Sequence, residues 1–241
     1  MLTRMLKAVL FDFNGVIIND EPLHEKLINQ LLVEENLRPK RGEFRQFCLG
    51  RNDRACLTDL LTSRGRVVME PQLTNLIDRK AKSYQRELES LETLPTYPGL
   101  QDFMFQIRSA RLKMAVVSGA LRSEIDFVLS HAHLQEYFST VVSGDESLPS
   151  KPDPAGYLAA IDRLNNQFPD LNLAPWECLA IEDTFTGIEA AKQAGIPVVG
   201  VANTYPFHML HRRANWTVDY LSELELDQIQ QVFDRPQTQA S

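Results

Sequence analysis

The sequence Leu6-Lys7-Ala8-Val9-Leu10-Phe11 runs directly into Asp12-Phe13-Asn14-Gly15-Val16. A short apolar run that ends at a turn is typical of a buried parallel strand, and Asn14-Gly15 predicts the turn. In open α/β sheets, ligands bind in the crevice beyond the carboxyl ends of the strands. We therefore expect Asp12 at the functional edge of a sheet. Taken alone, the stretch is better explained as a strand followed by an ordinary Asx turn.

Beyond residue 98, strands and helices alternate. The predicted strands cover residues 112–117, 140–142, 178–181 and 196–201, and the predicted helices cover residues 100–110, 121–130, 154–168 and 184–194. Such alternation is typical of βαβ units around a parallel sheet. The predicted fold class is therefore α/β, with a parallel sheet, the first strand in its centre and helices on both faces.

Residues 21–92 interrupt this pattern, because their apolar residues recur only at helical spacing. Four amphipathic segments without a strand between them predict a small four-helix bundle. We expect residues 1–20 and 93–234 to form the core domain and residues 21–92 to form an inserted cap. The polar tail, 235–241, is predicted to be disordered. The chain contains no internal repeat.

Composition excludes several classes of protein. The chain has 241 residues, 44% of them hydrophobic, and a net charge of -7, which argues against a nucleic-acid scaffold or a binder of anionic membranes. It contains no recognisable signal peptide and no apolar span of membrane length, so we expect a cytoplasmic protein without an obligatory protein partner. Cys48, Cys56 and Cys178 lack CxxC spacing, and neither a disulfide framework nor a zinc site is expected.

Polar side chains stand at the ends of other predicted strands. Ser118-Gly119 follows one strand, Glu182-Asp183 follows another, and Lys151 begins the loop Lys151-Pro152-Asp153-Pro154 before a helix. Three acidic side chains at one edge repel each other unless a cation shares them, and hard oxygen ligands suit Mg²⁺. A hydroxyl and an ammonium group can bind phosphoryl oxygens, and a carboxylate such as Asp12 can attack phosphorus.

Each group also has an ordinary explanation. Ser118 could cap a helix, Lys151 could be a solvated loop lysine, and Glu182-Asp183 could cap the next helix, where carboxylates are favourable. The convergence of all these groups at one sheet edge favours a phosphoryl site.

These segments resemble the signatures of haloacid dehalogenase-superfamily phosphatases. The resemblance is carried by Ile181-Glu182-Asp183-Thr184-Phe185-Thr186-Gly187-Ile188-Glu189-Ala190-Ala191-Lys192-Gln193-Ala194-Gly195, by Lys151-Pro152-Asp153-Pro154 and by Val116-Val117-Ser118-Gly119. It extends over nearly the whole chain and is closest to the subgroup with a helical cap, which includes β-phosphoglucomutase-like and phosphoglycolate-phosphatase-like enzymes.

The resemblance implies a Rossmann-like core and a set of roles. Asp12 would be the nucleophile, and Ser118, Gly119 and Lys151 would contact the phosphoryl group. Mg²⁺ would be held by Asp12, Glu182, Asp183 and the backbone carbonyl of Asn14. The cap would close over a small phosphorylated metabolite, excluding water and contacting its leaving group.

The chain departs from these relatives at the cap hinge. Asn14 stands where the phosphatases carry an acid/base aspartate. Asn19 stands where relatives usually have an aspartate in the hinge to the cap. An amide cannot exchange a proton near neutral pH, a transfer typically worth ~10²–10⁴-fold in rate. His24 is the one titratable base near the hinge that could substitute, although a structural histidine is the alternative interpretation.

The cap loop Gly50-Arg51-Asn52-Asp53-Arg54 is a second departure. Mutases have an arginine three residues after the glycine, and here that residue is Asp53. Arg51 and Arg54 still make a cationic loop able to meet an anionic substrate, with a solvated charged turn as the alternative.

The primary prediction is a Mg²⁺-dependent phosphatase of a small phosphorylated metabolite. A phosphosugar mutase is the second interpretation. A catalytically weak protein that binds a phosphorylated ligand is the third, because of Asn14. Dehalogenation is the least favoured, because the Lys151 and Glu182 segments resemble those of phosphatases. The identity of the substrate is not predicted, since the cap sets selectivity.

Overall fold

A computed structural model describes residues 5–234. Its strands are β1 (Ala8–Phe11), β2 (Lys113–Val117), β3 (Thr140–Val142), β4 (Cys178–Glu182), β5 (Val198–Val201) and β6 (Trp216–Val218). Its helices are α1 (Glu21–Glu34), α2 (Glu43–Phe47), α3 (Asp53–Ser63), α4 (Glu70–Glu89), α5 (Leu100–Ser109), α6 (Arg122–His131), α7 (Ala155–Gln167), α8 (Phe185–Gln193), α9 (Phe207–Leu210) and α10 (Leu226–Phe233).

The strands form one parallel sheet in the order β3-β2-β1-β4-β5-β6. β1 is buried throughout, with Val9 and Phe11 in the apolar core on one face and Ala8 and Leu10 in the core on the other. A strand covered on both faces needs a continuous apolar run, which is what this segment supplies. The predicted α/β class, the parallel sheet and the central first strand are confirmed.

Helices α1 to α4 lie between β1 and α5 and contain a separate apolar cluster. Ile28 of α1, Leu60 of α3 and Leu76 of α4 are among its buried members. The predicted four-helix insertion is confirmed. The domain boundaries 1–20, 21–92 and 93–234 stay a prediction, and the tail 235–241 lies outside the described residues.

The structure contains a disulfide, which the sequence analysis did not predict. Cys48 and Cys56, eight residues apart in sequence, are bonded, with their Cα atoms 4.3 Å apart. Cys48 ends α2 and Cys56 lies in the first turn of α3, and the tight loop between these helices brings the two residues together. Cys178 is a free, buried cysteine.

The sheet contains one strand more than predicted. β6 and the last helix, α10, were not predicted, because three residues of strand are too few for a periodic pattern. Within residues 5–234, no helix combines the length and apolar character that a membrane crossing requires.

Candidate active site

The parallel register brings the predicted polar residues to one edge of the sheet. Asp12, Ser118 and Glu182-Asp183 stand at the carboxyl ends of the neighbouring strands β1, β2 and β4. The backbone N–H of Asp12 still donates to Ile181 at 3.0 Å, so the sheet fixes this residue up to its own peptide group. All four side chains are buried.

Lys151 joins the strand tips from its loop. Its Nζ lies 2.9 Å from Oδ1 of Asp12 and 2.7 Å from Oε1 of Glu182. The lysine is buried, although burial of an ammonium is costly unless it is paired. The two carboxylates outweigh that burial and hold the pKa of Lys151 above its usual value.

The ordinary explanations for these residues do not fit the geometry. Lys151 is not solvated. The N-cap of α8 is Thr184, whose hydroxyl accepts from Gly187 at 3.1 Å, so Glu182-Asp183 do not cap it. Ser118 does not cap α6, which begins after Leu121; its hydroxyl accepts from the N–H of Ala120 at 3.0 Å.

Three of the carboxylates can share one cation. Single oxygens of Asp12, Glu182 and Asp183 all lie within 4.8 Å of one another. Burial and the charge of Glu182 raise the pKa of Asp12 to about 8, against the lowering effect of Lys151. Burial and the charge of Asp12 likewise hold the pKa of Asp183 well above its usual value. Oδ1 of Asp183 is buried without a hydrogen-bond partner among the described residues. Hard oxygen donors, mutual repulsion and an orphaned oxygen all fit a divalent cation such as Mg²⁺.

Gly15 makes room for this cluster. Its φ of +76° is in the left-handed region, and a Cβ there would stand 1.9 Å from Oδ2 of Asp183. Only glycine satisfies both the turn and the close approach.

Asn14 points toward the cap hinge. Its Nδ2 donates to Oδ2 of Asp20 at 2.9 Å and lies 3.0 Å from Nε2 of His24. Nε2 of His24 is also 3.2 Å from Asp20, and the hydroxyl of Tyr84 donates to the same Asp20 oxygen. The first turn of the cap is therefore hydrogen-bonded to the loop that follows the Asp12 strand.

His24 and Asp20 shift each other's pKa. Burial and the nearby Lys80 ammonium favour neutral His24, but the Asp20 carboxylate outweighs them and raises the pKa of His24. Burial favours neutral Asp20, but His24, Tyr84 and Asn14 together lower the pKa of Asp20.

A cavity between the cap and Asp12, which we call the cap chamber, encloses about 30 Å³. Its polar lining includes Asp12, Asn14, Glu21, His24, Arg51, Asp53, Lys80 and the backbone of Gly119. Small-molecule pockets usually measure roughly 300–1,000 Å³, so the chamber in this conformation is too small for such a ligand. A Cβ on Gly119 would lie 2.8 Å from the backbone of Arg51, which shows how closely the cap loop approaches the core.

The predicted substrate-binding residues fall in different places. His24, Arg51 and Gly119 line the cap chamber, and their roles stay predictions. Arg54 does not line it. Arg54 instead forms an exposed ion pair with Glu70 and borders an outer groove of the cap, and its role also stays a prediction.

Several residues near the site were not predicted. Tyr157 donates to Glu182 at 2.7 Å, Thr204 donates to Asp183, and Asn203 donates to the carbonyl of Gly15 at 2.6 Å. Asn203 and Thr204 follow β5, so the strand-end rule that identified Asp12 could have found them. Tyr157 lies on a helix, where no comparable sequence feature marks it.

Comparison with known proteins identifies the family. The haloacid dehalogenase-like hydrolase family matches residues 9–201. The chain belongs to this family. It is 28% identical over 200 residues to a phosphorylated carbohydrates phosphatase of Thermotoga maritima, covering 83% of this chain and 87% of the relative. It is 27% identical over 235 residues to the β-phosphoglucomutase of Bacillus subtilis, covering 95% of this chain and 96% of the relative.

The fold agrees with this assignment. The structure superimposes on a β-phosphoglucomutase of Clostridium difficile with a TM-score of 0.82 at 22% identity, covering 95% of this chain and 97% of the other. The predicted resemblance is confirmed, and the chain is a hydrolase by family. Its relatives include both phosphatases and a phosphomutase.

Proposed function

We propose that this chain is a Mg²⁺-dependent phosphatase that acts on a small phosphorylated metabolite through an aspartyl-phosphate intermediate. The observation that supports it most is the buried Asp12 carboxylate, 2.9 Å from Lys151 and beside Glu182 and Asp183. This arrangement provides a nucleophile and cationic groups for the phosphoryl oxygens at one sheet edge.

The proposed reaction has two displacements. An oxygen of Asp12 attacks phosphorus, the bond from phosphorus to the leaving-group oxygen breaks, and that oxygen takes the electron pair and then a proton from solvent water. A second water attacks the phosphorus of the aspartyl-phosphate and gives a proton to solvent, the bond to the Asp12 oxygen breaks with its electron pair returning to the carboxylate, and inorganic phosphate leaves. Lys151 and Ser118 hold phosphoryl oxygens through both steps.

Asp12, Glu182, Asp183 and the backbone carbonyl of Asn14 would hold Mg²⁺. A bound divalent ion supplies charge neutralisation for the phosphoryl oxygens and aligns them with the nucleophile. The cap excludes water from the chamber when closed, as its small volume here supports.

Asn14 sets the character of the proposed enzyme. Its amide can neither protonate a leaving group nor activate water. We therefore propose slow turnover of alkyl phosphates and faster turnover of substrates whose leaving groups need no proton.

Two alternatives have their own support. The same amide supports a protein that binds a phosphorylated ligand without turning it over. The likeness to the B. subtilis enzyme supports a phosphosugar mutase. A cytoplasmic location and the absence of nucleic-acid, membrane and obligatory protein partners stay predictions.

A substrate panel tests the proposal. Phosphate release from sugar phosphates, phosphoglycolate, nucleotides and nitrophenyl phosphate is measured with and without Mg²⁺, for the wild-type protein and for Asp12→Asn. We expect Mg²⁺-dependent release by the wild type alone. Isomerised sugar phosphate without released phosphate would favour the mutase. Ligand binding without either product would favour the binding protein.

A further inference from the structure

The charges around the cap chamber are unusual for a site that takes a phosphorylated molecule. The strand edge below it offers Lys151 and a candidate cation site for the transferred phosphoryl group. The cap side has three basic side chains, Arg51, Lys80 and His24, and each is already paired with a carboxylate. The leaving group of the proposed reaction would have to lie among these residues.

Arg51 is already paired within the cap. Its guanidinium donates to the carbonyl of Phe47 at 3.0 Å and to the carboxylate of Asp59 at 2.8 Å. A guanidinium that already donates to a carboxylate has fewer N–H donors left for a second anion.

Lys80 is paired with two carboxyl groups. It is 2% exposed, and its ammonium lies 2.8 Å from Asp53 of α3 and 3.3 Å from Glu124 of α6. Burial favours the neutral amine, but the two carboxylates outweigh it and raise the pKa of Lys80. Asp53 lines the chamber whereas Glu124 borders the outer groove, so Asp53 is the carboxylate that neutralises Lys80 on the chamber side.

The other ionisable side chains on the cap side of the chamber are His24, whose Nε2 lies 3.2 Å from Asp20, and Glu21. Glu21 adds another carboxyl group, and burial raises its pKa to about 7, so that it is partly ionised at neutral pH. Carboxylates accept hydrogen bonds, and a single lysine bond leaves most acceptor directions of Asp53 available. Hydroxyl groups satisfy such acceptors, whereas a phosphate opposes them.

We propose that the cap chamber selects a neutral, hydroxyl-bearing leaving group and excludes a second phosphate, with Asp53 as the specificity-determining residue. The proposal rests on the proposed phosphatase function and adds a substrate class: monophosphates of polyhydroxylated metabolites rather than bisphosphates. Like charges brought together in a desolvated pocket oppose binding strongly enough to decide between such substrates.

The test compares a monophosphate with the bisphosphate of the same sugar. For the Mg²⁺-loaded wild-type protein, kcat/KM for phosphate release should be at least about tenfold higher for glucose 6-phosphate than for glucose 1,6-bisphosphate. Asp53→Asn removes the carboxylate that neutralises Lys80 on the chamber side, at nearly constant size, so that the Lys80 ammonium can attract a second phosphate. This variant should shift the ratio toward the bisphosphate by about tenfold or more.

Asp78→Asn is the matched control. Asp78 is an exposed residue of the same cap, on the outer groove rather than in the chamber. The variant makes the same change in net charge and should leave the ratio within about twofold of wild type, because exposed charges are screened.

Calorimetric binding of both sugars to the Mg²⁺-loaded Asp12→Asn protein gives a readout that does not depend on turnover. A monophosphate preference of about tenfold supports the selectivity, even if no substrate is hydrolysed and the phosphatase function fails. Equal or tighter binding of the bisphosphate, or a ratio that Asp53→Asn leaves unchanged, overturns the selectivity while leaving the phosphatase function intact. Binding of neither sugar, without turnover of either, overturns both.

Discussion

Restoring an acid at position 14 requires two substitutions. The Nδ2 of Asn14 donates to Asp20 at 2.9 Å, so Asn14→Asp alone places two carboxylates at that separation. At about 3 Å and an effective dielectric constant of about 20, they repel by about 5 kcal/mol. The pair then keeps one proton between them, and the new side chain cannot serve fully as the base for water attack.

The double variant Asn14→Asp/Asp20→Asn exchanges the two side chains and keeps the hydrogen bond between them. Because general acid–base catalysis contributes ~10²–10⁴-fold, we expect kcat for hexose 6-phosphates to rise by at least about 10²-fold. Nitrophenyl phosphate should gain less, because its leaving group departs without a proton. Asn14→Asp alone should give a smaller gain, and Asp20→Asn alone should give none.

The assay is steady-state phosphate release for both substrates by all four proteins. Peptide mass analysis must confirm the residue at position 14, since an Asn-Gly pair can deamidate. If verified wild-type protein already turns over hexose phosphates as fast as the double variant, another residue supplies the proton. His24, 3.0 Å from Asn14, would then be the first residue to substitute.

Three further predictions concern the metal, the disulfide and pH. Asp183→Asn should raise the melting temperature of the metal-free protein, because it relieves repulsion between neighbouring carboxylates. The same variant should weaken the thermal stabilisation by added Mg²⁺. Unchanged stabilisation would show that Asp183 is not a metal ligand. Cys56→Ser opens the short loop to Cys48 and should lower the unfolding free energy by about 2.5 kcal/mol in urea titrations. A reductant should destabilise the wild type equally and the variant not at all. Burial opposes ionisation of Glu43, but its hydrogen bonds to Arg64 outweigh burial and hold its pKa below 4.5. The ionised Glu43 therefore stabilises the fold above about pH 4.5. The difference in unfolding free energy between the wild type and Glu43→Gln should vanish as pH falls through the lowered folded-state pKa of Glu43. A difference that persists in acid would contradict this prediction.

Most of the site's position could be predicted from sequence, because it depends on local patterns. An apolar run that ends in Asp12 predicts a strand tip, and parallel strands must end at the same edge. Ser118 and Glu182 follow from the same rule. Lys151 was found through its loop, but its burial between two carboxylates depends on the fold.

Features that depend on how the cap meets the core could not be predicted in this way. The bonds from Asn14 to Asp20 and His24 form because α1 begins directly above the Asp12 loop. Lys80 was missed, although it lies within the apolar stripe of α4, between Ile77 and Tyr84. A lone lysine in such a stripe implies a buried partner, but only the fold identifies Glu124 as one.

The central claim is that Asp12 carries the phosphoryl group. The most direct test is acid quenching of the Mg²⁺-loaded protein within one turnover of nitrophenyl phosphate, followed by peptide mass spectrometry. Asn14 should slow hydrolysis of the intermediate more than its formation, so one phosphoryl group should accumulate on Asp12. The label should be absent from Asp12→Asn. Rapid release of nitrophenol with no phosphoryl group on Asp12 at any time, or with the group on another residue, would show that Asp12 is not the nucleophile.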